Sequence, residues 1–342
     1  MQYLKLLLLP FSILYGIITG LRNFMYTIGI LNTFNIPKRS ICVGNLEVGG
    51  TGKTPHVAYI SKFLIQNHST TILSRGYGRK TKGYVEASIK STSTEIGDEP
   101  KLYKQFFKEK INVVVCEERK TGIQNIQNDY PDNEVIILDD AFQHRAVKAG
   151  INILITDFNK PYYKNQMLPF GRLREWKTGR KRADIIIVSK SPKSLDESIK
   201  NKVREKLKFN KEKIFFSSIE YGEIKSFSDH NFKAKNILLV TGISNPKPLE
   251  EHLKKNHRVE SLTFSDHYNF TQEDIKRIHQ KFDTFALDNK AIVTTEKDYM
   301  RLGELGEETN IKNYPWFYQS ITVKIDREKD FKTLIDRYVN AI

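Results

Sequence analysis

Cysteine is almost missing from this chain: among 342 residues only Cys42 and Cys116 occur, each inside an apolar run. Two isolated thiols build neither a disulfide framework nor a structural metal site, so they read as buried and reduced. Acidic side chains are missing from the N-terminal segment, Glu47 being the first in the chain. A run able to span a bilayer is missing too. A spanning helix needs roughly 20 apolar residues, whereas the uncharged segment Leu6 to Leu21 is shorter and is interrupted by Pro10, Gly16 and Gly20. No A-x-A-like cleavage site follows it and Arg22 closes it directly, which argues against a signal peptide. Solenoid repeats, low-complexity tracts and nucleic-acid modules are absent as well, which excludes repeat arrays and leaves no support for a nucleic-acid partner.

What is present describes a globular chain. Hydrophobic residues make up 39% and charged residues 28%, and the length predicts about two domains at roughly 100–200 residues each. Fifty-five Lys+Arg against 40 Asp+Glu give a formal charge of +15, which favours polyanions or an anionic membrane face as partners. The apolar N-terminal run, with Lys5, Arg22, Lys38 and Arg39 near it, predicts a helix lying in or dipping into the cytoplasmic leaflet.

From Ser40 onward short β-branched runs alternate with charged helical stretches: ICVG, TTILS, INVVVCE, EVIILDD, INILIT and DIIIVSK, then IFFSSI, NILLVTG, RVESLTF, AIVTTEK and SITVKI. That alternation predicts an α/β fold with a parallel sheet flanked by helices. The expected organisation is a membrane-associated segment over 1–36, a P-loop core over 37–213 and a second, smaller α/β domain over 214–342 that contributes to the active-site cleft. The lysine-rich stretch Lys200 to Lys213 reads as a solvated helix face.

The strand Ile41 to Val43 runs into Gly44-Asn45-Leu46-Glu47-Val48-Gly49-Gly50-Thr51-Gly52-Lys53-Thr54, with a helix expected from about Pro55. This is a phosphate-binding loop in its required strand-to-helix context. Gly49, Gly50, Thr51 and Gly52 let backbone N–H groups converge on phosphates, Lys53 reaches the β/γ-phosphates, and the Thr54 hydroxyl can ligate Mg²⁺. Glu47 stands where the usual pattern has glycine, and would repel phosphate if it pointed inward.

A matching metal-shell strand should be apolar and end in aspartate, as Val135 to Asp140 does, with Asp139 the better candidate. Asp140, Gln143 and His144 follow just past the strand's C-terminal end, where open α/β sheets bind ligands. The N-K-x-D element of guanine-specific proteins is absent. Thr294 to Asp298 reads equally well as a strand-to-helix cap or as part of a site.

Taken in order, Val48 to Pro55, SRGYGR (74–79), GDEP (97–100), LDDAFQHR (138–145), LPFGRLRE (168–175), TGISNP (241–246), FSDHY (264–268) and TTEKD (294–298) resemble the tetraacyldisaccharide 4′-kinase family of lipid A biosynthesis, over about residues 1–305. The resemblance implies transfer of the γ-phosphoryl group of ATP, with Mg²⁺, to the 4′-hydroxyl of an acylated glucosamine disaccharide 1-phosphate held in a membrane. It also implies a catalytic base at Asp98, paired with His267. Elementary chemistry agrees, because a sugar hydroxyl is a poor nucleophile near neutral pH and a carboxylate oriented by an imidazole is a sensible proton acceptor. Glu99 could hold metal beside it. Of the basic stretch Arg172, Arg174, Lys177, Arg180, Lys181 and Arg182, Arg174 is the one expected to touch phosphate. The expected location is the cytoplasmic face of a bacterial inner membrane, with neither nucleic acid nor an obligate protein partner implied. The rival reading is a membrane-associated P-loop ATPase switch of the partitioning or targeting type, which would turn over ATP without a lipid acceptor.

Overall fold

The computed structural model describes residues 6–228, 230–266, 268–285, 288–305 and 309–341. Twelve strands form one sheet: β1 (Arg39–Gly44), β2 (Thr70–Ser74), β3 (Val85–Glu86), β4 (Asn112–Val115), β5 (Val135–Asp139), β6 (Ile151–Asp157), β7 (Ile185–Ser189), β8 (Ile214–Ser226), β9 (Asn236–Thr241), β10 (Arg258–Thr263), β11 (Lys290–Thr295) and β12 (Trp316–Ile325). Their spatial order is β10-β9-β11-β12-β8-β7-β6-β1-β5-β2-β4-β3. Every neighbouring pair is parallel except β8–β12 and β3–β4. The central runs are strands because each is a β-branched stretch covered on both faces, as parallel strands must be, whereas the edge strand β10 is only half covered. β1, β2, β5 and β7 are buried along nearly their whole length.

β8 joins the two halves of the sheet. Ile214 to Phe216 pair in parallel with β7, and from Ser217 onward the same strand pairs antiparallel with β12. The N-terminal half is covered on one face by α2 (Lys53–Leu64), α3 (Asp98–Phe107) and α9 (Glu328–Val339), and on the other by α4 (Arg119–Asp129) and α5 (Glu197–Leu207). The C-terminal half packs α7 (Gln272–Thr284) and α8 (Glu296–Leu302) on one face and α6 (Lys247–Leu253) on the other. Although α9 ends the chain, its Phe331, Ile335 and Val339 complete the core of the N-terminal half. Tyr338 accepts from the Ser40 N–H there, at 3.0 Å. Both cysteines are buried and free.

The N-terminal helix α1 (Leu9–Thr27) inverts the usual amphipathic arrangement. Its inward face carries Ser12, Tyr15, Gly16, Gly20 and Asn23 at helical spacing. Ser12 donates to the Met167 carbonyl, Tyr15 to the Arg174 carbonyl and Asn23 to Glu175. Trp176 donates to the Gly16 carbonyl at 2.6 Å. A Cβ on Gly16 would lie 2.7 Å from the Trp176 ring, so glycine is required by close approach. The outward face is apolar, with Phe11 63%, Ile17 58% and Leu21 57% exposed. No helix among the described residues is long and apolar enough to cross a membrane.

The docking of α9 can be tested. Phe331 is 1% exposed and lies edge-on to Phe215 with ring centroids 5.4 Å apart. Phe331→Ala should cost about 3–5 kcal/mol of stability, measured by denaturant unfolding. A loss below about 1 kcal/mol would mean the C-terminal helix is not part of that core.

Candidate active site

β1 and β5 are hydrogen-bonded neighbours with Val43 opposite Asp139. The chain leaves β1 for β2 on the far side of β5, and leaves β5 for β6 on the other side of β1. Their C-terminal ends therefore open a crevice at a switch in strand order, the place where open α/β sheets take ligands.

The loop after β1 holds a fixed conformation. Gly49 and Gly52 have φ of +97° and +89°, left-handed values that favour glycine. The Asn45 side chain donates to the Thr51 hydroxyl (2.8 Å), Ser189 donates to the Thr51 carbonyl (2.6 Å), and Arg172 donates to the Val48 carbonyl (2.7 Å). Gly50 completes the loop, its carbonyl accepting from Lys190. α2 begins at Lys53, so Lys53 and Thr54 occupy its first turn at the positive end of the helix dipole. Glu47 does not point into the loop: it is 1% exposed, bridges to Leu173 and accepts from Asn165. Burial pushes its carboxyl up to about 7, and Arg172 opposes that shift.

Two aspartates close the crevice floor. Asp139 is buried and accepts from Ser74 (3.3 Å) and from the Tyr103 hydroxyl (3.2 Å), which is also hydrogen-bonded to Thr54. Burial, then the neighbouring Asp140 and Glu99 carboxylates, push Asp139 up to about 7. Asp140 adopts a left-handed φ of +48° and turns back toward the loop. It lies 3.6 Å from Lys53 Nζ and accepts both Arg174 guanidinium nitrogens, at 2.7 and 3.2 Å. Burial works to raise its pKa, but Lys53 and Arg174 outweigh it and hold the carboxyl below the usual range. Arg174 also donates to Asn45, so it braces the phosphate loop against Asp140. Gln143 donates to the Asn45 carbonyl and to Glu175, while His144 lies 3.9 Å from Glu118 and burial lowers its pKa.

The wall of the crevice comes from both halves of the chain. α3 starts with Asp98 and Glu99 and carries Tyr103 one turn on, so a single helix brings the Tyr103 hydroxyl onto Asp139 and the Glu99 carboxylate within electrostatic reach of it. Facing them, α8 starts at Glu296 after the Thr295 cap, whose hydroxyl accepts the Asp298 N–H. Arg301 donates twice to Asp98 (2.6 and 3.0 Å), and Lys297 pairs with Glu99 at 3.1 Å. Asp298 is 0% exposed, accepts the Gly242 N–H of the TGISNP string and pairs with Arg301. Lys101 and Ser93 both reach Glu304, adding to the clasp. His267 lies outside the described residues, but the carbonyl of Tyr268, the next residue, receives a long 3.5 Å contact from the same Arg301.

Phosphate-loop residues 49–54, Asp139, Asp140, Asp98, Glu99 and Arg174 are thus brought to one crevice, with Gln143 and His144 at its edge. Arg301 and Tyr103 carry no sequence signal for the site, whereas Lys297 lies in TTEKD, which reads equally well as a cap or as part of a site, and Arg172 lies in the basic stretch. TTEKD signalled a cap, which it is, but nothing local announced that its Lys297 and, one turn further on, Arg301 would cross to the GDEP helix. Of the remaining basic stretch, Lys177 and Arg180 donate to backbone carbonyls and Arg182 forks onto Glu175. Among the described residues no three His, Cys, Asp or Glu side chains converge as a metal cage. The hard oxygen donors at hand are Thr54 and Asp139, with Glu99 in electrostatic reach.

The crowding of Asp139 predicts a stability signature. Its folded-state pKa lies above the ordinary carboxylate value, so ionisation destabilises the fold, and the stability present near pH 4 is lost as pH rises through about 7. Asp139→Asn should therefore raise the Tm of the metal-free protein at pH 8, and the gain should vanish on approaching pH 4. An equal gain at both pH values would show that charge is not the cause.

The family model described as tetraacyldisaccharide-1-P 4′-kinase matches residues 4–340. A tetraacyldisaccharide 4′-kinase of Cytophaga hutchinsonii is 38% identical over 100% of this chain and 98% of its own length. That of Flavobacterium psychrophilum is 40% identical over the same shares. A crystal structure of LpxK from Aquifex aeolicus in complex with ATP superposes with a TM-score of 0.76 at 30% identity, covering 98% of this chain and 99% of that one. With match, length and crevice in agreement, the chain belongs to the tetraacyldisaccharide-1-P 4′-kinase family.

Proposed function

We propose that the chain transfers the γ-phosphoryl group of ATP to the 4′-hydroxyl of a tetraacyldisaccharide 1-phosphate, giving the 1,4′-bisphosphate of lipid A biosynthesis. The observation that carries this is a phosphate loop braced over Asp139 and Asp140 and faced by the Asp98 carboxylate, in a chain whose relatives bear that name.

Each residue's role follows from its surroundings. Backbone N–H groups of 49–54 and the dipole of α2 hold the donor phosphates, and Lys53 neutralises charge between β and γ. Asp98 accepts the hydrogen of the sugar hydroxyl, and Arg301 fixes its carboxylate through two hydrogen bonds to one oxygen. His267 is the proposed partner of that base. The donor set suits Mg²⁺, a hard cation that prefers oxygen, and the like-charge crowding at Asp139 is what a divalent ion would relieve. Thr54 and Asp139 would hold it, with Glu99 close by, and when bound it would neutralise charge developing on the transferring phosphoryl group. Arg174 serves phosphate from its brace between Asp140 and Asn45. Asp140, Gln143 and His144 line the acceptor side.

The outward apolar face of α1 supports docking on the cytoplasmic face of the inner membrane, where an acylated substrate would reside. Contiguous exposed apolar surface of this kind marks a lipid or protein contact.

The direct test is incubation with labelled ATP, Mg²⁺ and the tetraacylated disaccharide 1-phosphate, followed by separation of lipids. Label should appear on the lipid. ATP turnover that needs no acceptor would favour the ATPase-switch reading instead. Lys53→Ala should lower transfer about 10²–10³-fold, as loss of a major transition-state charge contact does. Asp98→Ala should lower kcat about 10²–10⁴-fold with little change in KM for ATP. Near-normal turnover in either variant would remove that residue from the site.

Membrane docking has a separate test. Ile17→Glu combined with Leu21→Glu alters side chains 58% and 57% exposed, so the fold should persist. The double variant should stop co-floating with anionic phospholipid vesicles while binding ATP as before. High salt should release the unaltered protein only in part, since screening weakens charge attraction and leaves apolar insertion. Full flotation of the double variant would overturn the docking face.

A further inference from the structure

Behind the phosphate loop lies a buried histidine that the chemistry above does not use. His56 is 1% exposed and sits one turn into α2. Its Nδ1 is 2.6 Å from the Gly52 carbonyl oxygen and its Nε2 is 2.8 Å from the Ser217 hydroxyl oxygen. A carbonyl can only accept, so Nδ1 carries the hydrogen. With the ring hydrogen on Nδ1, Nε2 of the imidazole is the acceptor and takes the hydrogen of the Ser217 hydroxyl. The tautomer follows from the two partners, and both ring nitrogens are engaged.

Each end of this link has a place in the fold. Gly52 is the left-handed residue just before Lys53, and the planar trans peptide puts the Lys53 N–H opposite the Gly52 carbonyl. Drawing that carbonyl back toward His56 therefore turns the N–H toward the phosphate side. The preceding carbonyl is drawn back in the same sense, Thr51 accepting from Ser189. At the other end, Ser217 is the first residue of β8 to pair with β12, directly after Phe216 pairs with β7. It is the point at which one strand passes from the N-terminal half of the sheet to the C-terminal half.

We infer that His56 is a positioning residue for the donor nucleotide, orienting the Gly52–Lys53 peptide and tying it through Ser217 to the strand that joins the two halves. The inference rests on the nucleotide-site reading. The ATP-grasping loop and the half that supplies Arg301 and Lys297 are then mechanically connected.

The experiment compares His56→Asn, His56→Gln, His56→Leu, Ser217→Ala and the His56→Asn/Ser217→Ala double variant. It reads the Kd of Mg·ATP by calorimetry, kcat on the lipid acceptor and Tm. An Asn amide nitrogen takes the place of Nδ1, and a Gln amide reaches the place of Nε2. His56→Asn should keep the Kd for ATP within about twofold, whereas His56→Gln and His56→Leu should weaken it about 5–10-fold, the range of one hydrogen bond. His56→Asn and Ser217→Ala should each lower kcat by a similar few-fold factor, and the double variant should fall no further. Ser217→Ala should leave the Kd nearly unchanged. The inference is overturned if His56→Asn binds ATP as weakly as His56→Leu, or if His56→Gln binds like the unaltered protein. It is overturned too if the two kcat losses multiply, or if loss of affinity simply follows loss of Tm across the series. Failure of the unaltered protein to bind ATP would instead remove the nucleotide-site reading, so the two failures are distinguishable.

Discussion

Charge compensation at the strand ends is the constraint on which the rest of the structure depends. Asp98, Glu99, Asp139 and Asp140 gather at one crevice, and carboxylates so close together in a poorly solvated site stay ionised only where cations or ligands offset them. Each is answered from a different element: Asp140 by Lys53 and Arg174, Glu99 by Lys297, Asp98 by Arg301. Asp139 alone has no ion-pair partner within contact distance among the described residues, and its raised proton affinity expresses that. A site arranged this way is held together by the charges it will later lend to phosphate.

That arrangement also explains why two halves of a chain form one site. The N-terminal half owns the phosphate loop and all four carboxylates, but two of the balancing cations come from α8 in the C-terminal half. Asp298 completes the tie by holding Arg301 and the Gly242 N–H together in a fully buried position. Removing one partner of such a pair leaves the other uncompensated, which costs more than the pair itself contributes.

How much of this was legible in the sequence follows from the range of each interaction. The strands could be read because burial on both faces writes a continuous β-branched run, and TTILS is β2 residue for residue. The phosphate loop could be read because glycine and Lys-Thr spacing are local requirements. The clasp could not: Lys297 and Arg301 look like ordinary surface charges until the fold closes the separation of about two hundred residues that divides them from Glu99 and Asp98. Glu47 was legible as an oddity, but its burial against Asn165 was not. α1 is a mixed case. Its apolar run announces a lipid-facing helix, while its inward face consists of Ser12, Gly16 and Asn23, residues that carry no hydrophobic signal. The basic stretch 172–182 shows the opposite failure, since its charges are obvious and most of them are spent on carbonyls and Glu175.

One connector links the outward face of α1 to the nucleotide crevice. Ser12, Tyr15 and Gly16 of α1 bond to Met167, Arg174 and Trp176, and within that same segment Arg172 reaches Val48 while Arg174 reaches Asp140 and Asn45. No long flexible linker separates the proposed membrane-contacting surface from the phosphate loop. A rigid connection of this kind suits an enzyme whose acceptor is anchored by acyl chains. The hydroxyl of such a lipid can be presented only at a limited height above the bilayer, so the depth of α1 sets how far the loop and Asp98 stand from it. Positioning within fractions of an ångström governs phosphoryl transfer. Selection would therefore act on the packing of α1 against residues 167–176 as strongly as on its affinity for lipid. The close approach of Gly16 to Trp176, which leaves no space for a single added methyl group, is the kind of contact such a requirement produces.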